Sequence, residues 1–135
     1  MKMQTIFITG GAGYIGGPTA HALVQLGFRV IVFDSTPLIP GPPAGGETSL
    51  IPGIKKENCI YIQGDIREKS DLEFAMRTYK PDSVIHLAAL KSAIDSGEQK
   101  KLYEETNVSG TKNVLSAMKA CGCAKIIFAS SASVY

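Results

Sequence analysis

The stretch TIFITGGAGYIGG, residues 5–17, decides how this chain folds. An apolar run ends at Thr9, and glycines follow at positions 10, 11, 13 and 16 as a helical pattern begins. Glycine permits a sharp backbone bend and the close approach of a ligand that a Cβ would block. A strand, a glycine turn and a helix in this order are typical of a dinucleotide site, with phosphate at the amino terminus of the helix.

An acidic residue supports the same interpretation. The glycines satisfy both G-x-x-G-x-x-G, from Gly10, and G-x-G-x-x-G, from Gly11, and Asp34 ends the next apolar run. A carboxylate there accepts hydrogen bonds from the adenosine ribose and repels a 2′-phosphate, which predicts NAD rather than NADP. The alternative is a structural glycine turn with a turn or capping aspartate. The presence of both features in register favours the cofactor site.

The rest of the chain repeats the same alternation of strand and helix. Nearly continuous apolar runs predict strands buried on both faces. Right-handed crossovers then give a Rossmann-type, doubly wound parallel sheet of about five strands in order 3-2-1-4-5, within three α/β/α layers. The five runs are Thr5–Thr9, Arg29–Phe33, Cys59–Gln63, Ser83–Leu87 and Lys125–Ala129.

Helical patterns lie between these runs. One spans Ser70–Tyr79, and a longer one runs from about Leu102 towards Gly122. Prolines and glycines in residues 35–56 predict a surface loop with at most a helical turn at Glu47–Leu50, with an interdomain linker as the alternative. The first helix is predicted to end near Gly27. The residues predicted to lie on one face of it are Ile15, Thr19, Ala22, Leu23 and Leu26.

Composition bounds the class of protein. With 135 residues, 44% of them hydrophobic, and a net charge of +2, the chain is predicted to form one domain, 1–135, without a nucleic-acid partner. Three cysteines without C-x-x-C spacing predict reduced thiols and a cytoplasmic location. No apolar stretch is long enough to span a bilayer. Neither His21 nor His86 has a second ligand at metal spacing, so no metal is predicted.

Six segments together resemble the extended short-chain dehydrogenase/reductases, the NAD-dependent epimerase/dehydratase family, over nearly the whole chain. Leu90-Lys91 is similar to the nucleotide-sugar epimerase pattern, whereas the related dehydratases usually carry a different pair. The segments are the glycine turn, Asp34, GDI at 64–66, HLAALK at 86–91, TNVSGT at 106–111 and SSASVY at 130–135.

The resemblance implies a set of NAD contacts. Asp65 and Ile66 would hold the amino group and the face of adenine, although Asp65 has an alternative role as a helix N-cap before Glu68. Leu87–Ala89 would line the ribose and nicotinamide side, or simply belong to the core. Asn107 has an alternative role as a packing residue inside a helix. The implied cofactor-binding residues are Gly10, Gly13, Tyr14, Ile15, Gly16, Asp34, Ser35, Asp65, Ile66, Leu87, Ala88, Ala89, Lys91, Thr106 and Asn107.

For catalysis, the resemblance implies that Ser131 bonds the sugar hydroxyl being oxidised, although Ser130 and Ser133 flank it. The implied activity is oxidation of a UDP-hexose at C4 by NAD and return of the hydride to the opposite face. Another nucleotide-sugar epimerase or dehydratase, or a non-catalytic NAD-binding module, is the alternative.

The family's base, a tyrosine in Tyr-x-x-x-Lys, has no match among the five tyrosines of this chain. We therefore expect a truncated domain that lacks its last strands and substrate region, and that is inactive alone. The last predicted strand, Lys125–Ala129, would be an exposed edge open to self-association or to a complementing carboxyl-terminal half.

Overall fold

The computed structural model describes residues 2–37, 57–90 and 97–130. The helices in these ranges are α1 Gly16–Gln25, α2 Lys69–Tyr79, α3 Gly97–Glu104 and α4 Gly110–Cys121, and a π-helical turn at Glu105–Ser109 joins α3 to α4. The strands are β1 Thr5–Thr9, β2 Arg29–Asp34, β3 Cys59–Gln63, β4 Ser83–His86 and β5 Ile126–Phe128.

All five strands are parallel and lie in the order β3-β2-β1-β4-β5, which confirms the predicted topology. Strand β1 lies at the centre and all five of its residues are buried. The predicted bounds of β1 and β3 are those observed. Strand β2 continues one residue further, to Asp34, whereas β4 stops at His86 and β5 loses one predicted residue at each end.

Helices cover both faces of the sheet, which confirms the three-layer arrangement. On one face, α2 and α4 pack together over the rings of Phe7 and Phe33, whose centroids lie 5.7 Å apart. On the other face, α1 packs on the second cluster of buried aliphatic strand residues. The carboxyl ends of the strands meet at one edge of the sheet, where open α/β folds bind their ligands.

The predicted face of α1 was wrong in part. Ala22 and Leu26 are exposed, and the buried residues of the helix are Gly16 and Ala20; Ala20 packs on the sheet cluster with Leu23 half-buried against it. Gly16 lies one turn before Ala20 but packs against the glycine turn itself, where a Cβ would meet backbone atoms of Gly10 and Gly11. Of the large apolar residues in the sequence pattern, Leu23 packs on this cluster, whereas Ile15 and Leu26 are exposed.

The far edge of the described sheet is β5. Its Ile126, Ile127 and Phe128 are 36%, 65% and 55% exposed, as the predicted edge strand requires. The predicted loop at residues 35–56 lies outside the described residues from position 38 onward. None of the helices in the described ranges is long and apolar enough to cross a membrane.

Candidate cofactor-binding site

The glycine turn is packed so closely that a side chain at Gly10 or Gly16 would meet backbone atoms. Gly10 has φ +71°, and a Cβ there would lie 2.7 Å from the backbone nitrogen of Ala88. A Cβ at Gly16 would lie 2.5 Å from the Cα of Gly11 and closer still to the carbonyl oxygen of Gly10. The turn therefore folds back on the start of α1 and touches the segment that follows β4.

The start of α1 offers free backbone donors. Ile15 is the N-cap and makes no side-chain cap bond, and the first turn carries no acidic residue. Among the described residues, no acceptor is found for the N–H groups of Tyr14, Ile15 and Gly16. Three free N–H groups at a helix amino terminus suit a phosphate. The residues present therefore fit the pyrophosphate of a dinucleotide.

The Asp34 carboxylate lies against this turn. Its Oδ2 accepts a hydrogen bond from the N–H of Ala12 at 3.0 Å, and its Oδ1 accepts one from the N–H of Thr36 at 2.9 Å. A carboxylate has about four acceptor positions, so about two remain for further donors. Beside it, burial and then the charge of Asp34 raise the pKa of Tyr61, whose hydroxyl donates to the Thr36 carbonyl oxygen.

Asp65 follows β3 at the same edge and is paired with Arg67. The Arg67 guanidinium donates to both carboxylate oxygens, with the shortest bond 2.7 Å from Nη2 to Oδ2, and the Arg67 N–H donates to Oδ1. Hydrogen bonding from the Arg67 side chain lowers the pKa of Asp65. The alternative role as helix N-cap was wrong, because α2 is preceded by Glu68. The Ile66 side chain is buried in the core.

The segment after β4 contacts both the turn and the π-helical turn. Leu87 and Ala88 are half-buried against opposite core clusters, whereas Ala89 is exposed, so the core alternative holds only for the first two. The Asn107 side chain accepts a hydrogen bond from the Leu90 N–H at 2.7 Å and donates one to the Leu90 carbonyl at 3.0 Å. Asn107 thus fastens this segment to the helix with both polar ends of its amide.

A series of hydrogen bonds through the His86 side chain also links the segment after β4 to the π-helical turn. The Ala88 N–H donates to Thr9 Oγ1 at 3.2 Å, and Thr9 Oγ1 lies 2.6 Å from Nδ1 of His86. On the other side, His86 Nε2 lies 2.9 Å from Thr111 Oγ1, which donates to the Asn107 carbonyl. Since the Thr111 proton is used there, Nε2 must donate and Nδ1 must accept. The series of hydrogen bonds is complete only with neutral His86.

This arrangement leads to a pH dependence of stability. Burial lowers the pKa of His86. The unfolded chain then binds more protons than the native chain below about pH 6.5, so stability is lost as the pH falls through that value. We expect the free energy of unfolding to drop between about pH 7 and pH 5, and His86→Gln to remove part of that slope.

Urea unfolding at several pH values measures this slope, and NMR titration of the His86 ring measures its pKa directly. Equal pH slopes of the unfolding free energy in the wild-type chain and in His86→Gln would contradict the buried, neutral state of His86. A His86 pKa at or above that of a free histidine would contradict it as well.

The structure brings most of the predicted cofactor residues to one edge of the sheet. Tyr14 is 91% exposed and Ile15 55% exposed beside the turn, Ser35 is exposed after β2, and Thr106 is half-buried in the π-helical turn. Lys91 and Ser131 lie outside the described residues. The sequence interpretation did not single out Thr9 or Thr111, the two side chains that hold the His86 ring. The available signal was a polar residue at the carboxyl end of a buried strand, which applies to Thr9 and His86 but not to Thr111 in α4.

Comparison with known proteins identifies the class. The sequence model of the NAD dependent epimerase/dehydratase family matches residues 6–135. This chain therefore belongs to the NAD dependent epimerase/dehydratase family, as the resemblance implied. The family description names the cofactor that the glycine turn and Asp34 predict.

Within the family, the similarity is to UDP-glucose 4-epimerases. UDP-glucose 4-epimerase 3 of Oryza sativa subsp. japonica is 41% identical over 132 residues, which is 97% of this chain and 35% of that protein. The Bifidobacterium longum UDP-glucose 4-epimerase, crystallised with NAD+ and UDP, superposes with a TM-score of 0.79 at 33% identity over 98% of this chain and 38% of its own.

The UDP-glucose 4-epimerase of Stenotrophomonas maltophila, crystallised with NAD and formylated UDP-arabinopyranose, gives a TM-score of 0.78 at 33% identity, over 99% of this chain and 38% of its own. This chain thus spans a little over a third of the length of each of these three relatives.

Proposed function

We propose that this chain is the NAD-binding part of a UDP-glucose 4-epimerase-type enzyme, with residues 1–135 forming one cofactor domain. The observation that carries the proposal is the Asp34 carboxylate, which is held against the glycine turn by the N–H of Ala12 at 3.0 Å. The acidic group and the free N–H groups at the start of α1 then face one ligand from two sides. That pairing suits a dinucleotide with an unphosphorylated adenosine ribose.

In this proposal each segment of the edge has its own task. The N–H groups of Tyr14, Ile15 and Gly16 hold the pyrophosphate, and Gly10 and Gly13 keep the turn free of side chains. Asp34 accepts the ribose hydroxyls, with Ser35 beside it. Asp65 and the backbone of Ile66 lie at the adenine end of the site. The ribose and nicotinamide end is assigned to Leu87, Ala88, Ala89, Lys91, Thr106 and Asn107.

NAD supplies a hydride acceptor that the twenty side chains lack. For the complete enzyme we propose C4 epimerisation of a UDP-hexose, with Ser131 as the residue that bonds the sugar hydroxyl. The names of the relatives and the Leu90-Lys91 pair support this substrate over that of a dehydratase. The free thiols of Cys59, Cys121 and Cys123 support a cytoplasmic location.

We expect the 135-residue chain to bind NAD without turning over UDP-sugars. A proton must leave the hydroxyl as the hydride departs, and no tyrosine of this chain is followed four residues later by lysine.

Calorimetry with NAD and with NADP tests the proposed function. We expect NAD to bind with a Kd below about 1 mM and NADP to bind at least about 10-fold more weakly, because the Asp34 carboxylate repels a 2′-phosphate. A chain shown by circular dichroism to be folded, yet giving no heat with millimolar NAD, would overturn the proposal. Equal affinity for NADP would overturn the role of Asp34.

A further inference from the structure

Helix α4 lies directly on the loop between β3 and α2, residues 64–68. The Asn113 side chain donates from Nδ2 to the carbonyl oxygen of Ile66 at 2.9 Å and to that of Arg67 at 3.1 Å. A side-chain amide has two N–H groups, so each carbonyl receives one of them. Asn113 is half-buried, and these two acceptors lie 47 and 46 residues away in sequence.

Gly110 brings the helix close enough for these bonds. It lies three residues before Asn113 and therefore on the same side of α4. A Cβ at Gly110 would lie 2.6 Å from Cδ1 and 2.8 Å from Cγ1 of Ile66. The bare backbone of Gly110 thus receives the Ile66 side chain, while Asn113 bonds the Ile66 carbonyl. Two neighbouring positions of one helix hold the two sides of the same residue.

The held loop is a closed turn with Asp65 at its start. The Glu68 N–H donates to the Asp65 carbonyl at 2.9 Å, and Arg67 binds the Asp65 carboxylate through both its N–H and its guanidinium. Arg67 fixes the carboxylate side of this turn, and Asn113 fixes the carbonyl side. The direction of the Asp65 carboxylate therefore depends on a side chain that lies on another element.

We propose that Asn113 is a positioning residue for the Asp65–Arg67 turn, and through it for the adenine end of the NAD site. This inference rests on the proposed function. Asn113 acts through the loop and does not touch the cofactor. Asn107 bonds the backbone of Leu90, and Asn113 bonds the backbone of Ile66 and Arg67. One helical segment therefore holds the loop after β4 and the loop after β3.

The test compares Asn113→Asp with Asn113→Ala. Asn113→Asp keeps the size of the side chain but turns a carboxylate towards two carbonyl oxygens, and Asn113→Ala only removes the donors. Loss of two hydrogen bonds should weaken NAD binding about 10-fold in Asn113→Asp and about 5-fold in Asn113→Ala. Asn113→Ala decides the question if Asn113→Asp does not fold. Asn58→Asp, the same change at the opposite end of β3, should leave the affinity unchanged.

A half-ligand titration separates positioning from general loosening. AMP carries only the adenine end of NAD, and nicotinamide mononucleotide carries only the other end. In the Asn113 variants, NMR titration should show the loss of affinity for AMP. The affinity for nicotinamide mononucleotide should change by less than about 2-fold. Equal losses for the two halves, or wild-type NAD affinity in both variants, would overturn the inference. Failure of the folded wild-type chain to bind NAD would instead overturn the proposed function.

Discussion

Replacing Gly16 by alanine should weaken NAD binding by at least about 100-fold, equivalent to about 2.7 kcal/mol. The added methyl would lie 2.5 Å from the Cα of Gly11 and nearer still to the Gly10 carbonyl oxygen. Both are backbone atoms, so the turn itself must move. Movement there displaces the N–H groups of Tyr14, Ile15 and Gly16 from the phosphate position. We also expect unfolding to become easier by about 1–3 kcal/mol, as in other overpacked sites.

The neighbouring Gly17 provides a matched control. It lies in the same helix, and a Cβ there would meet nothing within 4 Å. Gly17→Ala should therefore keep NAD affinity and raise the free energy of unfolding by about 0.5–1 kcal/mol through helix propensity. Calorimetry and urea unfolding of both variants check the pair. Similar NAD affinities in Gly16→Ala and Gly17→Ala would show that close packing of the turn does not control binding.

Asp34→Asn should lower NAD affinity about 10- to 100-fold, the range for lost hydrogen bonds to a charged group. The amide offers one acceptor oxygen where the carboxylate offers two. The N–H of Ala12 already donates to one carboxylate oxygen, and the N–H of Thr36 donates to the other. The substitution also removes the charge that repels a 2′-phosphate. NADP should therefore lose less affinity than NAD, and the ratio of the two dissociation constants should move towards one.

Asp82→Asn is the control for this change. The Asp82 carboxylate accepts a hydrogen bond from the Thr5 N–H at 2.8 Å, at the opposite end of β1. Both substitutions therefore remove a carboxylate acceptor from a backbone N–H, but only Asp34 lies at the proposed site. Asp82→Asn should affect stability and leave both dissociation constants unchanged. An unaltered NAD to NADP ratio in Asp34→Asn would remove Asp34 from the site.

Most of the fold was predictable because each strand of the sheet is a short apolar run. A run buried on both faces leaves little ambiguity, and Thr5–Thr9 and Cys59–Gln63 were located to the residue. The glycine turn was equally clear, since both its spacing and the acid on the next strand are local. The buried face of α1 was less clear, because its two buried residues, Gly16 and Ala20, are small and give only a weak hydrophobic signal.

The parts of the site that the sequence did not reveal are long-range pairs. Asn107 bonds Leu90 across 17 positions, and Asn113 bonds Ile66 across 47. Their partners are backbone groups, which leave no trace in the identity of the partner residue. The π-helical turn at Glu105–Ser109 was likewise read as part of one continuous helix. The sequence left a helix cap as an alternative role for Asp65, whereas its carboxylate forms an ion pair with Arg67.

A crystal structure of the 135-residue chain grown with NAD tests the central claim most directly. We expect the pyrophosphate to lie at the N–H groups of Tyr14, Ile15 and Gly16, and the adenosine ribose hydroxyls to donate to the Asp34 carboxylate. NAD bound at another surface, or an Asp34 side chain turned away from a bound ribose, would contradict the account.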